Sequence, residues 1–217
     1  MSSKPTCPLC EIRPPRRFCP AQRAEICAKC CGEGREETID CPFDCEYLRE
    51  ARQHEKLPPF DAAAIPHPEI QLTDAFLERN QELAIVVGRL LFVAVMNTQG
   101  AVDPDVRDTL DALVRTFKSA VNGIIYETRP SNMVAAAVQD RFNQELAEFR
   151  RLVAERQNGM TIPDKDLLGV LAFWQRMELQ RSNGRRKGRA FIESLFSLMP
   201  PPEQIERQSN PGIVPSS

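Results

Sequence analysis

The chain has 217 residues, 42% of them apolar and 27% charged, with a formal net charge of −2. There is enough apolar material for a core, and the slightly acidic balance argues against a chain-wide grip on nucleic acid. No run reaches the roughly 18 apolar residues that cross a bilayer, and Met-Ser-Ser-Lys-Pro-Thr at the start lacks the apolar core of a secretory signal, so a cytoplasmic protein is expected.

Residues 1–6 read as a loose leader. Residues 7–45 are dense in cysteine, proline and charge, and their large apolar residues are only Leu9, Ile12, Phe18, Ile26, Ile39 and Phe43. Such a segment needs a staple to fold. Residues 46–55 predict a short exit helix. Residues 56–68 carry Pro58, Pro59, Pro66 and Pro68 and predict a stiff linker.

From residue 69 the apolar period is helical. Thr73 or Asp74 caps a long helix with Phe76, Leu83, Val87, Leu90, Leu91 and Ala94 inside, ending near Gly100. Asp103 caps the next, with Pro104 at its first position and Val106, Leu110, Leu113, Phe117, Val121 and Ile124 on one face; Arg129-Pro130 breaks it. A third helix follows Ser131 (Val134, Val138, Phe142, Leu146, Phe149, Val153) and stops at Asn158-Gly159. A fourth spans about Pro163 to Ser182, with Leu167, Leu171, Trp174 and Met177. A short fifth holds Phe191, Ile192, Leu195 and Phe196. The expected fold is mainly α: a Cys-rich head with its exit helix (1–55), a Pro-rich linker (56–68), an antiparallel bundle of four to five helices (69–199) and a disordered tail (200–217).

All eight cysteines lie between Cys7 and Cys45, spaced C-x2-C-x8-C-x7-C-x2-CC-x9-C-x3-C. Each C-x2-C pair lets one tight turn aim two sulfurs at one metal. Prolines follow Cys7, Cys19 and Cys41 and stiffen those turns. In a reducing compartment such cysteines favour metal over disulfides. Eight thiolates at four per ion predict two zinc ions, with an iron–sulfur cluster as the minority alternative. The expected partition is Cys7, Cys10, Cys27 and Cys30 for one ion, and Cys19, Cys31, Cys41 and Cys45 for the other, because neighbours Cys30 and Cys31 point apart. These interleaved sets resemble the cross-brace zinc modules, the RING and MYND fingers. The resemblance covers residues 7–45 and implies a metal-binding role alone, since this cluster has no histidine and carries the Cys30-Cys31 doublet. His54 and His67 read as bystanders.

Loading two zincs on eight thiolates takes the chain from −2 to about −6. Two basic stretches remain as candidate nucleic-acid contacts: residues 13–23, with Arg16 and Arg17, and residues 181–189, with Arg185, Arg186 and Lys187. Their competing role is local, neutralising thiolates and capping helix ends. No nucleophile motif, phosphate loop or dinucleotide fingerprint is present, and a closed four-cysteine zinc has no position for water. The sequence therefore predicts a non-catalytic, zinc-stabilised interaction or adaptor protein. It would bind a protein partner or itself, with no membrane and no small-molecule substrate. A nucleic-acid-binding regulator and a redox or metal sensor are the alternatives.

Overall fold

The computed structural model describes residues 5–199 apart from 57, 58, 60, 157, 158 and 160. Residues 1–4 of the expected leader, Pro58, Asn158 and the expected tail (200–217) lie outside the described residues. Among the described residues the chain is mainly helical, with eight α-helices and a single two-stranded sheet.

In the head, β1 (Arg17–Cys19) and β2 (Ala24–Ile26) pair antiparallel, with Arg17 opposite Ile26. α1 (Ala28–Gly34) starts from Cys27, and α2 (Glu46–Gln53) starts from Cys45. Between them the chain turns back sharply at Gly34, whose carbonyl accepts from the N–H of Thr38 (3.1 Å) and of Ile39 (2.8 Å). A Cβ on Gly34 would stand 2.9 Å from Ile39 Cδ1, so the turn packs close against that side chain. Five of the eight buried members of the head core are cysteines, and the apolar remainder is Ile26, Ile39 and Leu48. Leu9, Ile12 and Phe18 are exposed instead, and Phe43 packs against the helices. The head thus buries little besides its own thiols.

Thr73 caps α3 (Asp74–Arg79), its Oγ1 accepting from Phe76 N at 3.2 Å. The long helix expected here is broken at Asn80, whose Nδ2 donates to Phe76 O (3.0 Å) and so competes with the helical ladder. α4 (Gln81–Met96) continues beyond the break. α5 (Asp103–Val121) is closed at its start by Asp105, which accepts from Val102 N (2.9 Å). Asp103, expected as that cap, serves another helix: its carboxylate accepts from Phe191 N (2.9 Å) and Ile192 N (3.1 Å) at the start of α8 (Ala190–Leu195). α5 ends well before Arg129-Pro130, at Asn122 and Gly123, the latter at φ +76°. Val121 and Ile124, expected on the buried stripe, are therefore exposed.

Asn132 Oδ1 accepts from Val134 N (2.9 Å) at the start of α6 (Met133–Arg156), and Gly159 follows that helix at φ +86°. α7 (Asp164–Arg181) occupies the span expected for it. α5 packs on α6 and α7, α4 also packs on α6 and α7, and α8 lies against α4, α5 and α7. Leu91, Leu110, Leu113, Phe142, Leu171 and Phe191 sit in the shared core. Gly88 lets Trp174 approach α4 closely: a Cβ there would fall 2.4 Å from Trp174 Cζ2, while Trp174 Nε1 donates to Ala84 O at 2.9 Å. Among the described residues no helix is long and apolar enough to cross a membrane.

Candidate metal centre

Cys7 and Cys10 stand at the two ends of one turn. Cys7 N donates to Arg13 O (2.8 Å), Glu11 N donates to Cys7 O (2.7 Å), and Glu11 takes φ +53° so that the chain can fold back. Cys27 and Cys30 are held by the start of α1, where Cys27 Sγ accepts from Cys30 N at 3.4 Å. The two turns bring all four sulfurs within 4.8 Å of one another. Cys10 Sγ and Cys27 Sγ are 3.9 Å apart. A tetrahedral zinc with Zn–S bonds of about 2.3 Å sets sulfurs about 3.8 Å apart, so the donor set fits one ion. All eight cysteines are free thiols, which leaves no disulfide in the head.

The electrostatics of this quartet are uneven. Backbone N–H groups of Arg13 and Ile12 lower the Cys10 thiol to about 6. Burial pushes Cys7 up, but backbone donors at Cys27, Leu9 and Cys10 outweigh it and the thiol is lowered. Cys30, whose hydrogen bond to Cys27 and burial both favour the neutral form, is pushed up to about 12. Desolvation of Arg13 is outweighed by its hydrogen bonds to Cys27 and Cys10, so its guanidinium is held more firmly. Thiols this close cannot all ionise alone, and a divalent cation removes that conflict.

The second expected quartet is arranged differently. Cys19 lies in β1, Cys31 in α1, Cys41 in the following loop and Cys45 at the start of α2. Its sulfurs are not drawn within 4.8 Å as the first set is. The four residues do line one small, partly enclosed space of about 10 Å³, with Ile26, Ile39 and Leu48 among the other walls. That is room for a single particle the size of a water molecule. Cys19, Cys41 and Cys45 are buried, and burial, ahead of the neighbouring Cys45, Glu36 and Cys19, pushes the Cys41 thiol up. His54 is exposed at the end of α2 and stands apart from both sets.

The basic residues have local partners. Arg17 Nη1 points at Cys31 Sγ (3.9 Å), and the same guanidinium lies 4.6 Å from the centre of the Tyr47 ring. Arg185 Nη1 donates to Arg35 O (2.7 Å), and Lys187 Nζ to Thr38 O (3.4 Å). Arg16 and Arg186 are exposed. The residue that gathers the second basic stretch is Glu36, which the sequence did not mark. It is 1% exposed at φ +53°. Its carboxylate accepts from Arg52 Nη2 (2.7 Å), Asn183 Nδ2 (2.9 Å) and Arg189 N (3.0 Å), and its carbonyl from Lys187 N (2.7 Å). Arg189 Nη1 reaches Asp40 (2.5 Å) and Cys41 O (3.3 Å). The head thus docks on the helices through residues 183–189.

The chain matches no known protein family, no curated protein and no solved structure.

Proposed function

We propose that this protein is a non-catalytic, zinc-stabilised interaction or adaptor protein of the cytoplasm. The carrying observation is the tight quartet of Cys7, Cys10, Cys27 and Cys30, whose spacing suits one tetrahedral ion. Zinc is favoured over an iron–sulfur cluster because four thiols this close leave space for one ion between them. A second zinc is assigned to Cys19, Cys31, Cys41 and Cys45, supported by the small space that these four residues line together. The four long helices, as an antiparallel bundle, supply the scaffold. An interaction role is supported by the loop after α5, where Ile124, Ile125 and Tyr126 are exposed, with Met133 exposed at the start of α6. Solvent-facing apolar residues in a contiguous run mark a surface that another protein chain covers.

Elemental analysis of protein purified without a metal-binding tag tests the first half. Two zincs per chain are expected; iron with visible absorbance overturns the zinc assignment, and a metal-free chain overturns the reading of the head. Chemical cross-linking with mass spectrometry tests the second. Ile125→Ser with Tyr126→Ser should abolish a defined cross-linked species. A wild-type chain that stays monomeric and acquires no reproducible partner refutes the interaction role.

A further inference from the structure

Residues 31–41 run from the last turn of α1 through the loop that follows it, with a cysteine of the second quartet at each end and Glu36 near the middle. This is the part of the head that the helical body grips. Glu36 receives Asn183, Arg189 N and Lys187 N; Arg35 O receives Arg185; Cys41 O and Asp40 receive Arg189. From α2, Arg52 bridges Glu36 (2.7 Å) and Glu193 of α8 (2.5 Å). The first quartet has no such link: among the described residues, no hydrogen bond or ion pair joins residues 5–33 to residues 61–199.

We infer that a metal ion held by Cys19, Cys31, Cys41 and Cys45 governs the docking of the head on the helices, and that the ion held by Cys7, Cys10, Cys27 and Cys30 does not. The inference rests on the two-zinc reading of the head. An ion tied to Cys31 and Cys41 closes the loop between them and removes its freedom to open. The closed loop holds Glu36 at its positive φ, with its carboxylate turned to residues 183–189. When the ion leaves, the loop ends part, Glu36 loses its fixed position, and the basic segment Arg185-Arg186-Lys187 is freed from the head. Two sites of one ligand type thus have separate duties. The first folds the tip of the head, and the second couples the head to the body.

Backbone amide exchange reads this directly, since the N–H groups of Lys187 and Arg189 both donate to Glu36. The full chain is compared with three variants by zinc content, far-UV circular dichroism and exchange. Cys41→Ser with Cys45→Ser should lose one zinc, keep its helices and speed exchange at these amides about tenfold or more. Cys7→Ser with Cys10→Ser should also lose one zinc but leave that exchange within about twofold of wild type. Glu36→Gln should keep both zincs and speed exchange at Arg189, because an amide replaces the carboxylate that accepts from Arg189 N, while Lys187 N keeps its backbone carbonyl partner. Unchanged exchange after loss of the second ion, or equal acceleration after loss of the first, overturns the coupling while leaving the two-zinc head intact. If the Cys41/Cys45 variant loses its helices, Cys31→Ser takes its place: faster exchange at Arg189 with loss of one zinc upholds the coupling, and unchanged exchange with loss of that zinc overturns it. A wild-type chain without metal overturns both readings.

Discussion

Asp103 is fully buried, yet its carboxylate is the cap of α8. Burial pushes it up to about 7, with the N–H groups of Phe191 and Ile192 pulling the other way. A carboxyl raised in the folded state binds its proton more tightly there than in the unfolded chain. Its stabilising contribution is therefore greatest at low pH and is lost as pH rises toward and through 7. Between pH 5 and pH 7 the loss is about 2 kcal/mol, at about 1.4 kcal/mol per pKa unit. Asp103→Asn cannot titrate, so it lacks this slope. It also turns an NH₂ toward one of two backbone donors, which costs about 1–3 kcal/mol. Urea unfolding of both proteins at pH 5 and pH 7, followed by far-UV circular dichroism, measures the difference. The stability gap between wild type and variant should narrow by about 2 kcal/mol as pH rises. Comparing the two proteins at each pH cancels the titration of the head thiols that both share. A gap constant to within about 0.5 kcal/mol would refute the reasoning.

Gly88→Ala should destabilise the protein by about 1–3 kcal/mol, because the new methyl meets the Trp174 ring and Leu198, and a thermal melt will show it. An exposed helical glycine would give the opposite sign. Arg107 holds the buried Glu178 with two hydrogen bonds, at 2.8 and 2.9 Å. Arg107→Ala strands that carboxylate and should cost about 2 kcal/mol, below the usual figure for a buried pair because Arg107 is half exposed. Replacing both by leucine should recover most of the loss in a denaturation series; a double variant as unstable as Arg107→Ala would count against a stranded charge.

Where chemistry is local, the sequence is easily read. Thr73 caps its helix because a hydroxyl three residues before an N–H needs nothing else. α7 follows from the spacing of Leu167, Leu171 and Trp174. The two C-x2-C turns find each other because each already points two sulfurs one way. What fails depends on distant partners or on rival local bonds. Asn80 breaks a run whose apolar spacing continues across it. Ile124 keeps the helical period after Gly123 has ended the helix, since spacing carries no information on what lies opposite. Asp103 looks like a cap, and is one, for a helix that begins at Ala190. The basic stretch was visible as charge, but its meeting with Glu36 was not, because no pattern in residues 181–189 names a lone glutamate in the head. The second cysteine set is harder than the first for a like reason: its members come from four different elements.

The Glu36 contacts also have a history in time. Asn183 and Arg189 lie 147 and 153 residues further along the chain. At a synthesis rate of about 5–20 residues per second, the head waits roughly 8–30 s on the ribosome before its dock exists. Through that interval its carboxylate has Arg52 of α2 but neither Asn183 nor Arg189, and the head rests on its own contacts. Helices made late thus complete a segment made early, so a stalled chain carries a finished tip with nowhere to rest.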